Sequence, residues 1–199
     1  MTTEVEKFSY SLGMDIGNNI KNANFDSLAI DLVISGLSDV LNKKETAFNS
    51  EEAGIIIREY ITKMQQAAGQ KKVTEGKNFL TENAKRQGVV TLPSGLQYEI
   101  IIAGTGNKPT LNDQVTTHYT GTLLDGTVFD SSVKRGEPAT FPVSGVIAGW
   151  TEALQLMPVG SKWKLFIPSD LAYGERGAGG AIGPNETLIF EIELISINK

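Results

Sequence analysis

The chain has no cysteine, one histidine, and no proline anywhere in its first 92 residues. The missing thiols exclude disulfides, thiol catalysis and cysteine-ligated metals, and His118 alone cannot build a multi-histidine metal site. A basic excess is also lacking: the net charge is -5 and the pI near 5.0, without the concentrated cationic footprint that phosphates require, so nucleic acid is not an expected partner. No stretch approaches the roughly 18 uninterrupted apolar residues of a membrane span, so no membrane partner is expected. The opening residues Thr2, Thr3, Glu4 and Glu6 do not form a basic region followed by an apolar run. A cytoplasmic location is therefore expected, with the periplasm as the alternative if a signal peptide has been removed.

All seven prolines and both tryptophans lie beyond residue 90. Proline is excluded from helix interiors and tolerated in turns and at strand edges, so the first part reads as helical and the second as β-rich. Phe8, Leu12, Ile16 and Ile20 recur every four residues along one side of a first helix, with Gly13 and Gly17 beside them. Asp26 or Ser27 is the expected N-cap of a second helix carrying Leu28, Leu32, Ile34, Leu37, Val40 and Leu41. Asn49 or Ser50 opens a third, with Gly88 as the next stop signal. Its first half is crowded with Ile55, Ile56, Ile57, Tyr60, Ile61 and Met64, whereas Gln65 to Arg86 reads as a solvated stalk. Gly13 and Gly17 permit close helix approach, so a homodimer through residues 1–48 is expected, and a monomeric three-helix bundle is the alternative.

Beyond residue 93, Trp163, Leu165 and Ile167 alternate with Lys162 and Lys164, and Leu188, Phe190, Ile192 and Leu194 alternate with Glu191 and Glu193. Period-two patterns of this kind mark half-buried strands of an antiparallel sheet. Ala148 to Leu156 has a short helical pattern able to cover one face of that sheet, which makes the domain α+β. Threaded through it is a dispersed set of aromatic residues, Tyr119, Phe129, Phe141, Trp150, Tyr173 and Phe190, with Asp130 beside Phe129. This set points to an apolar binding cup. Trp163 and Phe166 read instead as ordinary core.

Two chemical motifs fail on inspection. Gly177, Gly179 and Gly183 do not follow the G-x-G-x-x-G spacing, no helix follows them, and no G-K-[ST] is present, so a flexible surface loop is expected there. His118 lies in a strand pattern without a nucleophile motif and reads as structural.

The blocks HYTGTLLDGTVFDSS (118–132), SGVIAGWTEALQLMPVGSKWKLFIPSDLAYG (144–174) and GPNETLIFEIEL (183–194) resemble the FKBP-type peptidyl-prolyl cis-trans isomerase domain. The helical part is similar, more loosely, to the dimerisation region and connecting helix of the macrophage infectivity potentiator subfamily. The resemblance implies a helical dimerisation region over 1–48, a long connecting helix over 49–88 and an isomerase domain over 89–199. That domain would be a five- or six-stranded antiparallel sheet curled around one short helix. It implies catalytic positions at Tyr119, Phe129, Asp130, Ile147, Trp150, Tyr173 and Phe190, and substrate contacts at Phe141, Val146, Ile182 and Arg135. Trp150 would be the pocket floor, and the Ile147 N–H and Tyr173 hydroxyl would donate to bound carbonyl oxygens. No cofactor is implied. The implied partners are proline-containing unfolded or partly folded proteins, with chaperone activity alongside or as the main role, and macrolide inhibitors such as tacrolimus and rapamycin. Ala139, Ala178 and Gly179 stand where the family often has bulkier residues, which predicts a more open pocket wall.

Overall fold

The computed structural model describes residues 2–23, 25 and 28–198. The chain divides into two compact units, residues 1–57 and 58–199. The helix α3 (Ser50–Asn83) contributes its first residues to one and the rest to the other.

In the first unit, α1 (Glu4–Asn22) begins with a capping box, in which the Glu6 N–H donates to Thr3 Oγ1 and the Thr3 N–H to the Glu6 carboxylate. The second helix, α2 (Ile30–Leu41), starts after Ala29 without a side-chain cap, and the expected caps Asp26 and Ser27 lie outside the described residues. Among the described residues, neither helix buries a side chain. Phe8, Leu12, Leu32, Ile34, Val40 and Leu41 are all at least half exposed. Among the described residues, the amphipathic packing of a three-helix bundle is therefore not made within one chain.

The second unit is built on a seven-stranded sheet rather than five or six strands, because two short strands share one flank of β3. Its elements are β1 (Val89–Thr91), β2 (Gln97–Ile102), β3 (Gln114–Thr122), β4 (Val128–Ser131), α4 (Ser132–Arg135), β5 (Ala139–Pro142), α5 (Ala148–Leu154), β6 (Lys162–Ile167) and β7 (Leu188–Asn198). The sheet runs β1-β2-β6-β7-β3-β4, with β5 also paired to β3, and every pairing is antiparallel. Side chains alternate as the sequence pattern requires. Val115, Thr117 and Tyr119 of β3 and Leu188, Phe190, Ile192 and Leu194 of β7 point inward, where Trp150, Ala153, Leu154 and Met157 from α5 and its end complete the core.

The other face of the sheet holds the main departure from expectation. Gln97, Phe166 and Ile189 lie side by side across β2, β6 and β7, yet Gln97 and Phe166 are only 3% and 1% exposed. The C-terminal half of α3, read from the sequence as a solvated stalk, covers them. Phe79 packs against Phe166 with ring centroids 5.9 Å apart. Asn83 donates to Gln97 Oε1 at 2.8 Å, and Gln97 Nε2 donates to the Leu80 carbonyl at 2.9 Å. Gly69, Gly76 and Asn83, spaced by two turns, form the buried stripe. A Cβ on Gly76 would stand 2.2 Å from Thr187 Oγ1, so the missing side chain lets the backbones meet. The helix ends at Asn83, whose side chain turns into the domain, and Gly88 with φ of +89° lies in the turn before β1.

Candidate functional site

Five aromatic side chains from five elements create the base of a concave site. Trp150, 4% exposed on α5, lies 5.2 Å from Tyr119 of β3 and 5.1 Å from Phe190 of β7, ring centroid to centroid, at interplanar angles of 84° and 83°. Phe141 of β5 meets the same indole edge-to-face at 5.9 Å, and Phe129 of β4 meets Phe190 at 5.4 Å. Edge-to-face geometry sets the positive ring edge against the negative face, which adds about 0.5–1.5 kcal/mol per pair beyond area burial and fixes ring orientation. The Trp150 indole N–H is buried without an acceptor among the described residues. Gly121 of β3 makes room for the arrangement, since a Cβ there would stand 2.5 Å from Phe129 Cζ and 2.7 Å from Phe190 Cε1.

Above this base opens a cavity of about 610 Å³. Tyr119, Phe129, Asp130, Phe141, Val146, Ile147, Trp150, Tyr173, Ile182 and Phe190 all line it, so the structure brings together ten of the eleven site residues expected from the sequence. Arg135, the eleventh, stands behind the rim at the end of α4 and does not line the cavity. Gly145 and Ala181 also line it and were not anticipated, because neither carries a chemical signal in a sequence. Ala178 and Gly179 form part of the wall, while Ala139 packs against the core instead of lining the cavity.

The segment 174–183, expected as a flexible surface loop, has local hydrogen bonding of its own. Ala178 and Ile182 exchange both backbone hydrogen bonds, at 2.9 and 3.0 Å, closing a tight antiparallel turn. Gly177 adopts φ of +62° against the Ile182 carbonyl, a conformation and a spacing that only glycine tolerates.

One polar cluster sits at the rim. Tyr119 donates its hydroxyl hydrogen to Asp130 Oδ2 at 2.5 Å and accepts from Arg135 Nη2 at 2.9 Å, while Arg135 Nη1 also holds Asp130 Oδ1. Partial burial by itself would raise the Asp130 pKa, but the bonds from Tyr119 and Arg135 outweigh it and leave the carboxyl below its ordinary value. Burial, reinforced by the Asp130 carboxylate, pushes the Tyr119 phenol above its ordinary value. At neutral pH the cluster is thus a carboxylate, a neutral phenol and a guanidinium, with no group poised to exchange a proton. Two donors elsewhere on the wall have no acceptor among the described residues: the backbone N–H of Ile147, at the N-terminus of α5, and the hydroxyl of Tyr173, whose side chain is 40% exposed. His118 lies outside the cavity, with Nδ1 3.1 Å from Ser132 Oγ. Among the described residues no cluster of three or more His, Cys, Asp or Glu could hold a metal ion.

The fold and site are those of an α+β domain with an apolar aromatic cup and a locked carboxylate at its rim. Comparison with known proteins narrows it. Residues 105–195 match the family model described as FKBP-type peptidyl-prolyl cis-trans isomerase, and residues 5–100 match that of the domain amino-terminal to it. The outer membrane protein MIP of Legionella longbeachae is 50% identical over 206 residues, an alignment spanning 100% of this chain and 88% of that protein. The FKBP-type 22 kDa peptidyl-prolyl cis-trans isomerase of Escherichia coli is 47% identical over 192 residues, covering 95% of this chain and 93% of the relative. The crystal structure of FkpA from Escherichia coli superposes with a TM-score of 0.80 at 34% identity, covering 100% of this chain and 98% of the other. The chain belongs to the FKBP-type peptidyl-prolyl cis-trans isomerases. Among the described residues no helix is long and apolar enough to cross a membrane.

Proposed function

We propose that this chain accelerates cis-trans isomerisation of X-Pro bonds in protein substrates, seating the proline ring over Trp150 in the aromatic cup. The observation that carries this reading is the cavity itself, floored by an indole and walled by Tyr119, Phe129, Phe141 and Phe190. Rotation about a prolyl bond meets a barrier of about 18–20 kcal/mol because amide resonance must be broken. The planar amide is more polar than the twisted one, so a site that excludes water favours the twisted state, and no nucleophile or acid is needed. In this reading the Ile147 N–H and Tyr173 hydroxyl hold carbonyl oxygens flanking the proline. Asp130, fixed by Tyr119 and Arg135, positions the substrate electrostatically at the rim. Arg135 acts through that carboxylate, and Val146 and Ile182 close the wall around the ring. A macrolide carrying a proline-like ring would occupy the same cup.

The apolar residues left uncovered on α1 and α2 favour a homodimer through residues 1–48. Burying one such side chain contributes about 1.5–3 kcal/mol, so a partner covering several would be held firmly. The same surface supports a second role, gripping unfolded clients as a chaperone. The division into a dimerisation region over 1–48, a connecting helix over 49–88 and an isomerase domain over 89–199 belongs to the same proposal. The expected cytoplasmic location rests only on the lack of a leader pattern, and the outer-membrane name of one relative counts against it.

A protease-coupled assay on a short X-Pro peptide tests the enzyme reading. Acceleration above the uncatalysed rate is expected, and its absence with folded protein would overturn the reading.

A further inference from the structure

The helix α3 lies directly on the strap that holds the pocket wall. Three points on one helical face, Gly69, Lys72 and Gly76, meet three consecutive residues, Asn185, Glu186 and Thr187. The backbone at Gly69 approaches the Asn185 side chain, with a Cβ there falling 2.9 Å from Asn185 Nδ2, and Gly76 approaches Thr187. Between them Lys72 Nζ lies 3.1 Å from Oε1 of Glu186, a carboxylate only 8% exposed, and 3.6 Å from Glu75. Glu186 folds back toward Gly183, where a Cβ would stand 3.6 Å from its Oε1. Gly183 follows Ile182 of the wall directly. The strap also secures the other end of the turn, since the Asn185 N–H donates to the Gly174 carbonyl at 2.8 Å, next to Tyr173. Both ends of the 174–182 turn, and with them Tyr173 and Ile182, therefore hang on a segment clamped from outside.

We propose that Lys72 is a positioning residue for the proline pocket, acting through Glu186 to hold the 183–187 strap and hence the wall formed by Ala178, Ala181 and Ile182. It touches no substrate. The proposal rests on the isomerase reading above. Burial by itself would weaken the Lys72 charge, but Glu186 outweighs it and strengthens the lysine's hold on its proton. Because Lys72 is still 38% exposed, added salt reaches and screens the pair.

The experiment measures KM and kcat of the full chain on an uncharged X-Pro peptide in low and high potassium chloride. Lys72→Gln is expected to raise KM about three- to tenfold with kcat within about twofold, the pattern of a loosened binding wall. Lys72→Arg should restore wild-type KM, and Lys71→Gln, one position along and 77% exposed, should leave it unchanged. In wild-type protein KM should rise more steeply with salt than in Lys72→Gln, because the exposed Asp130–Arg135 pair at the rim is screened in both. An unchanged KM in folded Lys72→Gln, or the same salt response in both proteins, overturns the proposal. If Lys72→Gln does not fold, a salt-independent KM in wild type overturns it, and a KM that rises more steeply with salt in wild type than in folded Glu186→Gln supports it. Wild-type protein without activity would sink the isomerase reading itself, a result distinct from any of these.

Discussion

The Tyr119 hydroxyl and Asp130 Oδ2 lie 2.5 Å apart, and Arg135 bonds both partners. This pair makes the rim of the pocket a fixed dipole instead of a mobile carboxylate. Asp130→Ala should therefore lower kcat/KM roughly 10- to 100-fold, equivalent to about 1.4–2.7 kcal/mol in transition-state binding. The melting temperature should move little, because Asp130 is 40% exposed at its side chain. Parallel peptide assays and thermal melts check the separation.

The pH dependence follows from the direction of the Asp130 shift. Its folded pKa is lowered, so the stability it contributes is fully present above the ordinary carboxyl value of about 4 and is lost only as pH falls through the lower folded value. The Tyr119 phenol, shifted upward, stays protonated through the neutral range. Isomerase rates are expected to be flat from about pH 5 to 8. A rate that halves within that window, in a protein still folded by circular dichroism, would contradict the assignment.

Trp150 is both floor and core. Trp150→Ala should cost about 3–5 kcal/mol of stability through loss of transfer energy and an unfilled cavity. Trp150→Leu should keep most of the fold while still reducing activity. Denaturant titration beside the peptide assay distinguishes the two effects.

Helix propensity and packing oppose each other at Gly76. Alanine is worth up to about 1 kcal/mol over glycine in a free helix. Here its Cβ would stand 2.2 Å from Thr187 Oγ1, so overpacking of about 1–3 kcal/mol should win and Gly76→Ala should be destabilising. A higher urea midpoint in Gly76→Ala would show that α3 does not press on the domain.

Phe8 and Leu12 lie one turn apart on the exposed row of α1. Light scattering of the full chain is expected to give the mass of a dimer. Phe8→Glu combined with Leu12→Glu should give a monomer whose rate on short peptides is unchanged, since these residues are remote in the chain from the pocket.

The strands were readable because most of their residues alternate with period two. Trp163, Leu165 and Ile167 against Lys162 and Lys164 leave a single way to place β6. The aromatic site was readable because its residues fall in long, ordered family motifs. Gly145 and Ala181 were not, since their contribution is the absence of bulk. The docking of α3 was hidden for a related reason: its contact stripe is Gly69, Gly76 and Asn83, which no hydropathy pattern registers.

From its sequence alone this chain is a proline-free helical half followed by an α+β isomerase domain with an aromatic cup, because local periodicity and motif order depend only on neighbours along the chain. That the second half of the long helix belongs against the sheet, clamped to the strap beside the pocket, was decided only by tertiary structure. Its contacts join Lys72 to Glu186 and Asn83 to Gln97, polar partners whose pairing depends on distance in space and leaves no period to read.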